Sequence, residues 1–340
     1  MFSQAQFFSS DSQLLAEAND FLESWNTKEN LMFVQTSGST GVPKTIALEK
    51  KNMALSAQKT LDYFQLKKGN KALLCLSMQT IAGKMMLLRS ILGELDLEII
   101  APTSNPLKNV ESEIDFLALV PLQLETCLEE NPKKLHLIKK IIVGGAPLSE
   151  KIIQRLKDEK LTVYQTFGMT ETISHIAFKK TGFDATSTYE ALSGIRFLEK
   201  EGKLLIDYPA FFEAPLETND LVKLVDSTHF EWLGRADFII NSGGVKLNPE
   251  QIEYKIAHLI PCAFIVTSLP DERLGSIAVL LLESKNELFI PKIELENCLG
   301  KFEVPKKLAF TTKFTRTESG KIMRSESTLK IEANGWKPLL

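Results

Sequence analysis

Short apolar runs alternate with segments of helical periodicity through the first half of the chain, and this alternation restricts the fold more than any other feature. Residues 31–34 read as a strand followed by a Ser/Thr/Gly loop, 53–64 as a helix, 72–77 as a strand and 81–92 as a helix. Residues 141–143 form a further strand ending in Gly144-Gly145-Ala146-Pro147; 150–157 follow as a helix, and 163–166 as a strand entering a glycine-containing loop. Strands joined through helices pack as a parallel sheet with helical cover, which is an α/β fold. The pattern changes near residue 190. The runs 197–198, 203–206, 221–225 and 230–232 read as short strands separated by turns, a small β-rich subdomain. Beyond Asp237 the α/β character returns. Asn248 suits a helix N-cap, Pro249 the first helical position, and Glu250 and Glu253 the first turns, where the helix dipole favours negative charge. A boundary at 235–237 divides the chain into domains 1–235 and 236–340. The second has about 100 residues, an ordinary domain size.

With 340 residues, 44% of them hydrophobic, the chain can bury two or three cores. A net charge of −3 supplies no global positive field for nucleic acid or an anionic membrane, so any phosphate chemistry must rest on local groups. Cys75, Cys127, Cys262 and Cys298 are far apart, which supports neither a structural zinc nor a disulfide framework. Buried reduced thiols fit better. The first residues lack a basic n-region and apolar stretch, and the apolar run 72–92 is broken by Gln79, Lys84 and Arg89. A soluble, cytoplasmic protein without membrane insertion is expected.

The strongest local signal is Thr36-Ser37-Gly38-Ser39-Thr40-Gly41-Val42-Pro43-Lys44, directly after a strand. Glycines let backbone N–H groups approach an anion, hydroxyls add donors, and Lys44 adds charge. Its glycine spacing differs from the Walker A loop, and a polar surface loop is the alternative. Further polar clusters follow in order: Gly144-Gly145-Ala146-Pro147, Tyr164-Gln165-Thr166-Phe167-Gly168-Met169-Thr170-Glu171-Thr172, Thr218-Asn219-Asp220, Gly234-Arg235-Ala236-Asp237, Ser242-Gly243-Gly244 and Arg316-Thr317-Glu318-Ser319-Gly320-Lys321. Taken singly, each also reads as a turn, a surface ion pair or a solvated tail.

Taken in order, these segments resemble the adenylate-forming superfamily of acyl-CoA synthetases, luciferases and peptide-synthetase adenylation domains. The resemblance implies that Thr36, Ser37, Gly38, Ser39, Thr40, Gly41 and Lys44 bind ATP phosphates. It places Gly144, Gly145 and Ala146 along the adenine, with Gln165, Thr166, Phe167 and Gly168 in the strand-to-loop motif beside it. Thr170 would contact phosphate and Glu171 would ligate Mg²⁺. Asp220 and Arg235 would bind the ribose, Asp237 would be the hinge of a mobile C-terminal α+β domain, and Gly243 and Gly244 would line the coenzyme A route. Lys321 would swing in to stabilise charge as pyrophosphate leaves. Three positions depart from the family pattern: Phe167 for tyrosine, Asn219 for glycine and Thr315 for proline. The implied chemistry is acyl-adenylate formation followed by thioester formation on coenzyme A.

The phosphate loop begins at Thr36, early for this superfamily, and compact members occur among the o-succinylbenzoate–CoA ligases of menaquinone biosynthesis. Residues 80–89 and 168–175 look similar to those enzymes, which makes o-succinylbenzoate the leading acid. One of its carboxylates reacts and the other needs a donor; Arg89, Lys84, Ser174 and His175 are the candidates. Arg89 reads equally well as a surface helix residue and His175 as an ordinary loop residue, and 85–88 as helix core. Another aryl- or acyl-CoA ligase, a carrier-loading adenylation enzyme and a nucleotide-binding module without catalysis are the rival readings. Dimerisation could compensate the early start, though no residue points to it.

Overall fold

A computed structural model describes residues 7–35, 45–317 and 322–339. Its contacts separate into two compact units, one of Met1–Leu148, Ile152–Arg196 and Asp207–Pro215, the other of Ser149–Lys151, Phe197–Ile206 and Leu216–Leu340.

In the first unit the strands Phe7–Phe8, Asp96–Ile99, Lys71–Leu74, Ile114–Leu119, Ile138–Val143 and Thr162–Gly168 lie side by side in that order, all parallel. His175–Gly182 and Tyr189–Ala191 extend the sheet antiparallel. The expected α/β architecture is therefore present, with one correction. The strand expected at 31–34, observed as Leu31–Gln35, is not part of the parallel sheet; it pairs antiparallel with Thr45–Glu49 in a sheet of its own. The cause is that a strand re-entering directly after a loop can return only antiparallel, having no helix to carry it across.

Apolar side chains such as Leu73, Leu117, Ile141 and Val163 form the core on which the helices pack. Helix Lys50–Phe64 buries Met53, Ala57, Leu61 and Phe64, spaced for one face. Helix Ile81–Gly93 instead buries almost every residue from Met85 to Ile91, so it is an interior helix rather than an amphipathic cover. Met85, Met86, Leu87 and Leu88 are all 0% exposed, as the helix-core reading of that stretch requires.

The strands Arg196–Lys200, Lys203–Asp207, Leu216–Asp226 and His229–Arg235, all of the second unit but for Arg196 and Asp207, lie edge to edge, the β-rich segment expected from the sequence. A second sheet runs Val245–Leu247, Ile240–Ser242, Gly275–Glu283, Lys307–Thr311, with Phe264–Asp271 also on Gly275–Glu283. Its core is Ile252, Val266, Leu280 and Leu295. Asn248 caps the helix Pro249–Ile256, its side chain accepting from the N–H groups of Glu250 and Gln251 at 3.1 and 3.3 Å.

Candidate active site

Adjacent parallel strands bring two of the sequence motifs together in the first unit. Ile138–Val143 and Thr162–Gly168 are paired, and each runs into its motif at the carboxyl end, where open α/β sheets bind ligands. A Cβ at Gly144 would lie 2.5 Å from Thr166 Oγ1, so any larger residue there would displace the Thr166 hydroxyl from the Gly144-Gly145-Ala146 turn. Gln165 is buried, Phe167 is half-buried with its ring 5.6 Å from that of Tyr189, and Gly168 is exposed.

The following loop is pinned from inside. Thr172 is buried; its hydroxyl accepts from the Met169 N–H at 3.0 Å and lies 2.9 and 2.8 Å from the Met169 and Ser174 carbonyls. Ile173 adopts φ +68°, an outlier for a β-branched residue of the kind that costs about 1–3 kcal/mol and clusters at functional sites. This strained, anchored loop presents Thr170 half-buried and Glu171 exposed, and Glu171 forms no ion pair among the described residues. Those residues contain no group of three or more metal-ligating side chains. A lone open carboxylate fits Mg²⁺, which keeps several waters and shares phosphate oxygens.

Arg89, Ser174 and His175 come together, joined by a residue the sequence reading did not single out. Arg89 is 2% exposed, so the surface-helix alternative does not hold. Its Nε donates to Thr60 Oγ1 at 3.1 Å and its Nη2 to Ser174 Oγ at 2.9 Å. Thr60 Oγ1 also hydrogen-bonds His175 Nε2 at 2.8 Å, and His175 is itself buried. Burial lowers Arg89 to about 9, which leaves it charged at neutral pH. Burial, and secondly the Arg89 charge, push His175 well below the ordinary imidazole range, so it is neutral. No carboxylate pairs with Arg89 among the described residues. Lys84, half-buried on the same helix, makes no hydrogen bond to this cluster, and burial lowers its pKa.

The second unit holds the Asp220 cluster. Strand pairing sets Asp220 opposite Arg235, with Arg235 Nη1 3.6 Å from Asp220 Oδ2. Arg235 makes its short contacts to Asp237 instead, Nε to Oδ1 and Nη2 to Oδ2, both at 3.0 Å. Asp237 is exposed within the turn Ala236–Phe238. Gly243 and Gly244, at φ +58° and +86°, form the two-residue turn between Ile240–Ser242 and Val245–Leu247, where positive φ at both positions matches the strand twist. Thr36, Ser37, Gly38, Ser39, Thr40, Gly41, Lys44 and Lys321 lie outside the described residues. Thr60 is not marked in the sequence, and Thr172, though part of the 164–172 motif, is given no role there, because a threonine in a helix or turn gives no periodic signal; only the fold reveals its partners.

A glycine turn and a Thr-Glu loop at the carboxyl ends of adjacent parallel strands define a nucleotide-handling α/β protein. Residues 3–196, more than half the chain, match the family profile described as AMP-binding enzyme, and the chain belongs to that family. It is 24% identical over 336 residues to a 2-succinylbenzoate–CoA ligase of Listeria monocytogenes, spanning 90% of this chain and 71% of that protein. An acyl-CoA synthetase (AMP-forming)/AMP-acid ligase II-like protein from Dyadobacter fermentans is 35% identical, with TM-score 0.63 over 94% of this chain and 95% of that one. The o-succinylbenzoate coenzyme A synthetase of Bacillus subtilis, solved with ATP and magnesium ion, is 20% identical, with TM-score 0.71 over 87% of this chain and 69% of that one.

Proposed function

We propose that the chain is an ATP-dependent acid–CoA ligase whose acid is o-succinylbenzoate. The acid carboxylate attacks the α-phosphorus of ATP, the bond to pyrophosphate breaks, and acyl-adenylate forms. The thiolate of coenzyme A then attacks the acyl carbon and AMP leaves. Lys44 and the Thr36–Gly41 segment hold phosphates, as does Thr170; Gly144, Gly145, Ala146, Gln165, Thr166, Phe167 and Gly168 hold the base and reacting groups. Asp220 and Arg235 hold the sugar, and Gly243 and Gly244 line the coenzyme A route. Mg²⁺, when bound through Glu171, neutralises phosphate charge. Domain 236–340 turns about Asp237 between the two steps, bringing Lys321 in for the first and withdrawing it for the second. The reaction so proposed takes place in the cytoplasm, on the route to menaquinone.

The observation that carries the choice of acid is Arg89. A buried guanidinium hydrogen-bonded only to hydroxyls, and lacking a carboxylate among the described residues, is costly unless an anion joins it. A dicarboxylic acid supplies that anion after its other carboxylate has reacted. Benzoic and fatty acids do not.

The test is thioester formation from o-succinylbenzoate, ATP, Mg²⁺ and coenzyme A, beside ATP–pyrophosphate exchange over a panel of acids. Turnover is expected with o-succinylbenzoate, and Arg89→Met is expected to lower kcat/KM for it by at least about 100-fold, the loss of a charge-assisted bidentate contact. Exchange with monocarboxylic acids alone would sink the assignment. Transfer to a carrier protein but not to free coenzyme A would favour the carrier-loading reading, and gel filtration tests whether the protein is a homodimer.

A further inference from the structure

Asp220 is buried, its side chain 11% exposed, yet that side chain accepts a single hydrogen bond among the described residues. That bond comes from Trp232, whose Nε1–H donates to Asp220 Oδ1 at 2.9 Å. Arg235, at 3.6 Å, is too distant from Oδ2 for a direct hydrogen bond. A carboxylate has about four acceptor sites, so this one is under-satisfied where desolvation makes that expensive.

A β-bulge brings Trp232 there. Residues 232 and 235 are an odd number apart and would face opposite sides of a regular strand. The register instead pairs Asp220 with Arg235, Leu221 with Gly234 and Val222 with Trp232, so Leu233 is the extra residue. Trp232 and Arg235 therefore share the face of Asp220. The bulge is stabilised at both flanks: Asn248 Nδ2 donates to the Leu233 carbonyl at 2.9 Å, and Gly234 takes φ +134°. A bulge that re-aims one side chain onto a buried carboxylate is a built feature.

We propose that Trp232 is a positioning residue for the nucleotide sugar: its indole N–H fixes Asp220 so that the remaining acceptor sites face the two ribose hydroxyls. The inference rests on the ATP-binding part of the proposed function and not on the identity of the acid. Binding is therefore measured without acid or coenzyme A, by calorimetry with ATP, 2′-deoxy-ATP and 3′-deoxy-ATP. Trp232→Phe keeps a ring and removes the donor. It is expected to weaken ATP about tenfold, one hydrogen bond to a charged group, while the deoxy nucleotides bind nearly as before, so that the preference for ATP shrinks. Equal weakening of all three, or no change, would assign Trp232 a packing role and overturn the proposal. A wild-type measurement covers the case of a variant that does not fold. Of the indole N–H resonances of the three tryptophans, one is expected to exchange with solvent more slowly with ATP than with 2′-deoxy-ATP. Identical exchange with both would overturn it. Wild-type protein that binds no ATP would remove the nucleotide reading itself, and this inference with it.

Discussion

His175 shows how one buried group can couple the candidate acid site to pH. Its imidazole is held neutral by burial and by the adjacent Arg89 charge, so its pKa is depressed in the folded chain, whereas the unfolded chain titrates near 6.5. Below about 6.5 the unfolded state binds the proton that the folded state refuses, so stability is complete above that pH and falls as pH drops below it. The slope from this group is at most about 1.4 kcal/mol per pH unit. Urea unfolding at pH 7.5 and 5.5 measures it, and His175→Asn is expected to remove this part of the pH dependence; an unchanged slope would mean that His175 does not titrate between the states. The residue itself was legible in the sequence only through resemblance. Its partner Thr60 was not, because 115 residues separate them and no local pattern marks a helix threonine as a bridge.

The interior helix Ile81–Gly93 shows what helical periodicity does and does not reveal. Its extent was readable, expected at 81–92, because the apolar run is long; the structure adds its cap, Thr80, whose hydroxyl accepts from the Gly83 N–H at 3.3 Å. Its all-round burial was not, since composition cannot say what will cover a helix. Gly83 makes the distinction testable. On an exposed helix Gly→Ala stabilises by about 1 kcal/mol. Here a Cβ would lie 2.2 Å from the Ser77 carbonyl oxygen, which is backbone and cannot step aside cheaply. Overpacking of that kind costs about 1–3 kcal/mol, so Gly83→Ala is expected to lower the urea midpoint, and a raised midpoint would contradict the close packing. Short strands were the least legible elements. Asp96–Ile99 alternates acidic and apolar residues over four positions, too few to register a period. The bulge beside Trp232 left no trace at all, because strand parity is read from the sequence and a bulge breaks parity only in the pairing.

At the scale of the molecule, one chain must run two reactions that need different surroundings for the same acyl group. The order of motifs from Thr36 to Lys321 stands in the sequence, and their resemblance to the adenylate-forming superfamily implies a turn about Asp237. The described contacts add what such a turn would break: Glu250 Oε2 accepts the Arg235 N–H at 2.5 Å, and Asn248 Nδ2 holds the Leu233 carbonyl at 2.9 Å, both spanning Asp237 in the sequence. Both bonds lie inside the one compact unit that holds residues 216–340, so a turn about Asp237 would have to break them together with the packing of helix Pro249–Ile256 on strand His229–Arg235, and ligand binding would have to supply that free energy. The two steps also differ in charge. Adenylation builds negative charge between carboxylate and α-phosphate, which a lysine brought beside it would stabilise; thioester formation releases AMP and does not require that cation. Lys321→Ala is therefore expected to lower acyl-adenylate formation by at least about 100-fold, the cost of one electrostatic stabiliser of a transition state. Release of AMP from chemically prepared acyl-adenylate by coenzyme A is expected to proceed at close to the wild-type rate. Pre-steady-state measurement of each half-reaction separates the outcomes. If both fall together, Lys321 supports the site as a whole and the turn about Asp237 loses its reason; if only the first falls, one side chain is needed in one conformation and absent from the other.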